Sequence, residues 1–234
     1  MDKESKEMRK IAIGDIHGCA QTFKKLVEKI ELGPQDELIL LGDLIDRGPD
    51  SKGVLDEIMR LREKGHQVVL VQGNHEEMML NAGIDFFVKD RWLNAGGRRT
   101  LASFGGKNSE LSVVDSIYYK LLAEGKDYYE SQGYIFVHAG LNFGLEFPFE
   151  AVRDMRWIRD WHDEVNYNWL GERVIVHGHS PRTVYTIKEM HKELPQKQIL
   201  DIDSGCCYLD NNGMGVLTAY DTDADVLFFQ KYVG

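Results

Sequence analysis

The sequence predicts an α/β fold whose strands hand polar side chains to one edge of a sheet. Three observations predict it. Short apolar runs at 10–13, 38–41 and 67–71 each precede a glycine-led polar turn. Stretches with helical apolar spacing follow those turns, and this β–α–β–α order implies a largely parallel start to the sheet. Two later apolar runs, 134–137 and 173–176, end in histidines in the same way. Loops at the carboxyl ends of strands are where α/β proteins place their chemistry.

The first strand, Lys10-Ile11-Ala12-Ile13, runs into Gly14-Asp15-Ile16-His17-Gly18. Alternate residues of an extended chain share a side, so Asp15 and His17 can face one point. A carboxylate with an imidazole suits manganese, iron or zinc better than calcium or magnesium. Alone, such a pair is more often a turn with a surface histidine. Phe23, Leu26, Val27 and Ile30 then have helical spacing, and Gly33-Pro34 ends that helix. The second strand, Leu38-Ile39-Leu40-Leu41, delivers Gly42-Asp43-Leu44-Ile45-Asp46-Arg47-Gly48. Asp50-Ser51 caps a helix with Val54, Leu55, Ile58, Met59 and Leu61 on its apolar face. The third strand, rich in β-branched residues, delivers Gly73-Asn74-His75-Glu76.

Residues 81–133 break the pattern and read as a mostly helical insertion over the site. Arg98 and Arg99 within it are either anion contacts or solvated surface charges. Beyond it, Tyr134-Ile135-Phe136-Val137 delivers His138, and Arg173-Val174-Ile175-Val176 delivers His177-Gly178-His179. From about 198 to 233, short β-like runs alternate with turns. They read as antiparallel and as a second sheet.

Composition narrows the function classes. With 234 residues, 43% of them hydrophobic, the chain can build a substantial core, and no repeat or linker divides it, so one domain over 1–234 is expected. A net charge of −10 argues against nonspecific nucleic-acid binding, which needs clustered Lys and Arg. The charged stretch Met1–Lys10 does not read as a signal peptide, and no apolar run reaches the ~20 residues of a membrane span. Three cysteines, Cys19, Cys206 and Cys207, give no disulfide framework and fit a reducing cytoplasm. Adjacent Cys206 and Cys207 are either a redox pair or structural thiols.

The strand-end side chains Asp15, His17, Asp43, Asn74, His138 and His179 form one constellation, and its donor set fits two divalent cations. Two cations about 3.5–4 Å apart need a shared ligand, usually a carboxylate. Asp43 is the natural bridge, with Asp15 and His17 on one ion and Asn74, His138 and His179 on the other. Cations so placed acidify a shared water enough to make hydroxide, a nucleophile, near neutral pH. His75 sits beside Asn74 and is better placed to give a proton to a leaving oxygen, with Asp46 fixing its tautomer. Arg47 and Arg159 can grip a phosphoryl group.

These motifs resemble those of the phosphoprotein phosphatase family of metallophosphoesterases, and are most similar to its bacterial and phage-type members. Gly14–Gly18, Gly42–Gly48, Gly73–Glu76, His138-Ala139-Gly140 and Gly178-His179 match in family order. The resemblance implies two β-sheets packed face to face with helices outside. It implies a dinuclear centre of manganese first, with iron or zinc as alternatives, on the six ligands named. It implies His75 with Asp46 as the general-acid pair and Arg47 as a phosphate clamp. Trp157-Ile158-Arg159 is similar to the bacterial Trp-x-Arg, which carries a second phosphate-binding arginine to Arg159. His177 beside Gly178-His179 leaves two candidate histidines, of which family position favours His179. Asp201-Ile202-Asp203-Ser204-Gly205 resembles a bacterial Asp-Thr-Gly stretch with Ser204 in place of Thr.

The expected activity is dephosphorylation of phosphoserine or phosphothreonine in proteins. The alternative is hydrolysis of symmetrical dinucleoside tetraphosphates, which related bacterial enzymes perform with the same motifs. A flat groove would favour phosphoprotein; a closed pocket with a stacking aromatic such as Tyr118 or Trp92 would favour a nucleotide. A catalytically dead metal-binding scaffold is the remote third reading.

Overall fold

The computed structural model describes residues 8–107, 109–209 and 213–234. The first seven residues of the charged N-terminal stretch lie outside the described residues. Strands β1 (Lys10–Ile13), β2 (Glu37–Leu40) and β3 (Gln67–Leu70) pair in parallel, as the β–α–β–α order requires. Between them run α1 (Ala20–Lys29) and α2 (Ser51–Glu63), the latter capped by Asp50, whose carboxylate accepts from Gly53 N. Helix α3 (Asn74–Asn81) follows β3 directly.

The insertion carries α4 (Phe86–Trp92), a π-helical turn at Leu93–Gly97, α5 (Arg98–Ser103) and α6 (Ser116–Ala123). Its last part is not helical. Tyr128–Ser131 forms β4, which pairs antiparallel with β5 (Tyr134–Val137). β5 then runs parallel to β6 (Val174–His177), and β6 to β7 (Ile199–Asp201). Helix α7 (Val152–Trp157) leads toward Arg159.

The C-terminal strands do not form a sheet of their own, which corrects the sequence expectation. β7 completes the second sheet, in the order β4-β5-β6-β7. β8 (Val216–Asp221) and β9 (Val226–Lys231) form a hairpin that joins the first sheet beside β1, giving β3-β2-β1-β8-β9. The alternation within β8 and β9 fixes their antiparallel pairing to each other. It carries no information on which open strand edge accepts them.

Successive residues of each inner strand face different layers, and both layers are apolar. In β1 and β2, Ile11, Ile13, Leu38 and Leu40 pack against α1 and α2. Ala12 and Ile39 point the other way and meet Phe136, Val176 and Leu200 of the second sheet. Ile135, Val137, Ile175 and Ile199 close the outer face of that sheet with Met155 and Trp161. The result is an αββα sandwich, as expected. The parallel strands of both sheets end at the same rim, and the constellation gathers there.

Candidate metal and phosphate site

The loops after β1, β2 and β6 are held in conformations that ordinary residues avoid. His17, Asp43, Asp46, Arg47 and His179 all have positive φ, between 46° and 73°. Such positions cost about 1–3 kcal/mol each and persist only where surroundings over-determine them. The surroundings here are hydrogen bonds between loops. Ile16 N and His17 N both donate to the Asp43 carbonyl, at 3.1 and 2.8 Å. The buried Glu76 carboxylate accepts from Asp43 N at 2.8 Å, Leu44 N at 2.9 Å and Gly73 N at 3.1 Å. Glu76 thus ties the loop after β2 to the loop after β3. A Cβ on Gly73 would meet Asp43 N at 2.4 Å, so only glycine lets the two loops approach this closely.

His138, Asn74, His179 and Asp43 converge. Nδ1 of His138 donates to the Leu41 carbonyl at 2.8 Å, which leaves Nε2 with its lone pair. That lone pair lies 3.1 Å from Asn74 Oδ1, 3.2 Å from His179 Nδ1 and 3.4 Å from Asp43 Oδ1. Four groups that can all act as acceptors thus face one another. Nε2 of His179 is buried with no hydrogen-bond partner. Lone pairs gathered this closely repel unless a cation lies among them, so the donor set fits a divalent metal.

The other half is built from His17, Asp43 and Asp15. Nδ1 of His17 donates to the Ile45 carbonyl at 2.9 Å, and Nε2 lies 3.4 Å from Asp43 Oδ2 and 4.0 Å from Asp15 Oδ2. Asp43, His138 and His179 form one set of ligand atoms within 4.8 Å of each other, and His17, Asp43 and His75 form another. Asp43 belongs to both, which is what a bridging ligand must do. His75 stands in the second set where Asp15 was expected. Asp15 lies at its margin, and its Oδ1 accepts from His179 N at 3.1 Å.

Electrostatics follow from burial. Burial raises the Asp43 carboxyl, but the surrounding imidazoles, His138 first, outweigh it and hold the group well below the usual carboxylate range. Burial, with Asp203 and Asp43 nearby, pushes Asp15 well up. Burial depresses His17, His138 and His179, the last to about 3, so all three stay neutral and can ligate.

Nδ1 of His75 lies 2.6 Å from Asp46 Oδ2, so the expected pair exists. Burial lowers His75, but Asp43 and the Asp46 hydrogen bond outweigh it and raise the group above its ordinary value. Asp46 itself is fully buried and held from the insertion. Trp92 Nε1 donates to Asp46 Oδ2 at 2.9 Å, and Thr100 Oγ1 donates to Oδ1 at 2.5 Å. Arg47 reaches both histidines, with Nη1 2.7 Å from His17 Nε2 and Nη2 2.9 Å from His75 Nε2. Arg159 Nη1 donates to Ser180 Oγ at 2.9 Å and the His179 carbonyl at 3.2 Å.

Other expected residues are elsewhere. His177 turns away from His138 and hydrogen-bonds to His162, Nε2 to Nε2, at 2.9 Å. Trp92 is fully buried on Asp46, and Tyr118 is buried with its hydroxyl on Asp56, so neither can stack on a base. Arg98 donates to Ser109 Oγ, and Arg99 to the Arg47 carbonyl at 3.0 Å. Arg99 therefore braces the Arg47 loop. The three cysteines are free, and burial pushes Cys207 up to about 12, which leaves no thiolate for a Cys206–Cys207 redox pair near neutrality. Sequence reasoning missed Glu76, Trp92 and Thr100 as supports. Glu76 lay within a quoted motif, and its spacing from Gly73 was the available signal; nothing marked the other two.

Comparison with known proteins gives a consistent picture. A model of the calcineurin-like phosphoesterase family matches residues 8–229. A serine/threonine-protein phosphatase 1 of Salmonella typhimurium is 42% identical over 96 residues, 40% of this chain and 42% of its own. A symmetrical bis(5'-nucleosyl)-tetraphosphatase of Erwinia tasmaniensis is 44% identical over 69 residues, 29% of this chain and 24% of its own. The matched segments thus span less than half of either relative. A serine/threonine phosphatase structure from Saccharomyces cerevisiae superposes with a TM-score of 0.65 at 14% identity, covering 99% of this chain and 82% of that one. A metallophosphoesterase from Sphaerobacter thermophilus superposes with a TM-score of 0.56 at 13% identity, covering 97% and 88%. At such identities the superpositions speak for the fold alone.

Proposed function

Because the chain belongs to the calcineurin-like phosphoesterase family, we propose that it is a metal-dependent hydrolase of phosphate monoesters, acting on phosphoserine and phosphothreonine in proteins. The observation that carries the reading is the double set of ligand atoms sharing Asp43, with the His75–Asp46 pair beside it. Asp15, His17 and Asp43 would hold one divalent cation, and Asp43, Asn74, His138 and His179 the other. Manganese is the preferred metal, with iron or zinc as alternatives, given mixed carboxylate and imidazole donors. When bound, such cations polarise the phosphoryl oxygens and acidify water.

The chain's own residues do the rest. Arg47 and Arg159 bind the equatorial phosphoryl oxygens. Arg47 now donates to His75 Nε2, so turning toward phosphate frees that nitrogen to carry a proton. His75 then gives this proton to the leaving oxygen, and Asp46 stabilises the imidazolium through Nδ1. Trp92 and Thr100 keep Asp46 in place.

A second reading, hydrolysis of symmetrical dinucleoside tetraphosphates, is favoured by the tetraphosphatase relative. Burial of Trp92 and Tyr118 removes those two rings as stacking partners for a base, but Tyr208, its ring centroid 5.8 Å from the Arg47 guanidinium carbon, is half-buried beside the phosphate clamp. The test is a parallel assay. Protein stripped with chelator and reloaded with manganese is offered a phosphothreonine peptide and a dinucleoside tetraphosphate at equal concentration. Higher kcat/KM on the peptide supports the first reading, and on the dinucleotide the second. No turnover of either, with manganese bound, supports a scaffold.

A further inference from the structure

We propose that Glu77 is a positioning residue for Arg159, and the proposal rests on the assignment of Arg159 to the phosphoryl group. Arg159 lies outside regular structure. Helix α7 ends at Trp157, Ile158 is extended, and the chain reverses at Asp160 with φ of 56°. A long side chain on such a connection cannot hold a fixed grip unless its backbone is mounted.

Two tryptophans mount it. On one side, Trp157 Nε1 donates to Glu77 Oε2 at 2.5 Å. On the other, Trp161 Nε1 donates to the Ala139 carbonyl at 3.0 Å. Trp161 is 2% exposed and fills the space where a Cβ on Gly140 would sit. Each tether ends on an element that carries the site. Glu77 lies on α3, which begins with Asn74 and His75, and Ala139 follows His138. Arg159 is thereby referenced to both metal-side loops at once.

Glu77 is the part of this mount that can be tested without opening the core. Its second oxygen accepts from Arg156 Nη1 at 2.8 Å, and Arg156 also pairs with Asp127. Arg91 covers the Trp157 ring with its guanidinium carbon 4.3 Å from the centroid. A carboxylate that merely joined α3 to α7 would predict lost stability and nothing more. A positioning role predicts that Glu77 matters only while Arg159 is present.

The experiment uses Glu77→Ala and Trp157→Phe, each alone and combined with Arg159→Ala, in the manganese-loaded protein. Trp157→Phe removes the indole N–H and keeps a ring beneath Arg91, so it serves if Glu77→Ala folds poorly. The readouts are calorimetric binding of inorganic phosphate, binding of manganese, and thermal melting. Loss of a charge-assisted contact predicts that Arg159→Ala weakens phosphate about tenfold or more. Glu77→Ala and Trp157→Phe should weaken it about three- to tenfold, and neither should add to Arg159→Ala, because coupled residues are not additive. Manganese binding should not change. Multiplicative losses, or unchanged phosphate binding in both variants while Arg159→Ala loses it, overturn the positioning role. Unchanged binding in Arg159→Ala itself overturns the phosphate assignment and the proposal with it.

Discussion

Replacing Glu76 by alanine should cost both stability and metal affinity, although Glu76 is not itself a ligand. Its carboxylate is 2% exposed and accepts three short bonds from the backbone N–H groups of Asp43, Leu44 and Gly73, with a longer one from Ile45 N at 3.4 Å. A buried donor left without a partner costs about 1–3 kcal/mol, so three orphans cost about 3–9 kcal/mol. Water entering the space left by the side chain recovers part of this, which places the expected loss at about 3–5 kcal/mol. Against a stability of about 5–15 kcal/mol for an ordinary domain, that is a large fraction. The same bonds hold Asp43 at φ of 48°, so the bridging carboxylate should lose its pose and manganese should bind weakly. The assay is urea unfolding of metal-free wild type and variant, followed by manganese calorimetry. A stability loss below about 1 kcal/mol, with manganese affinity intact, would refute the reasoning about inter-loop N–H groups.

Other expectations follow from the same geometry. Asp43→Asn should abolish manganese binding and turnover together, checked by calorimetry alongside the peptide assay; turnover without bound metal would sink the bridging role. His75→Asn should spare manganese binding and cut phosphothreonine hydrolysis by about 10²–10⁴-fold, while p-nitrophenyl phosphate, whose leaving group needs no proton, loses far less. Asp46 helps raise His75, so the protonated acid persists to higher pH in wild type. Asp46→Asn should move the alkaline limb of kcat/KM to lower pH; an unmoved limb contradicts the pair. Burial, then Asp43, pushes Glu76 up to about 8 from 4.5. The folded state therefore binds the proton more tightly than the unfolded chain, and stability falls as pH rises from about 4.5 to 8. That slope should appear in metal-free wild type and be shallower in Glu76→Ala, where buried Asp15, Asp201 and Asp203, also pushed up, still contribute.

Strand ends were the legible part of the molecule. Apolar runs, glycines and the residue types after them are local signals, and they placed Asp15, His17, Asp43, Asn74, His138 and His179 at one rim. The His75–Asp46 contact also followed, because both residues sit at fixed offsets from neighbouring strand ends. Long-range pairing was not legible. The β8–β9 hairpin satisfies either sheet by pattern, and only packing across the sandwich selects the edge beside β1. His177 and His179 are two residues apart and chemically alike. They part because His177 is still in β6, whereas His179 lies past it at φ of 71°. Trp92 and Tyr118 looked like free aromatics because sequence carries no sign of what an indole N–H or a phenol will meet.

The contact of Trp92 and Thr100 with Asp46 has a consequence for how such a protein can diversify. The insertion holds none of the expected metal ligands. Yet it supplies both side-chain donors that fix the carboxylate behind the acid. A recombinant carrying a relative's insertion would import, along with a new outer surface, a new hold on the proton donor. If His75 is the proton donor, a graft that keeps the two donors to Asp46 should be the one that retains turnover.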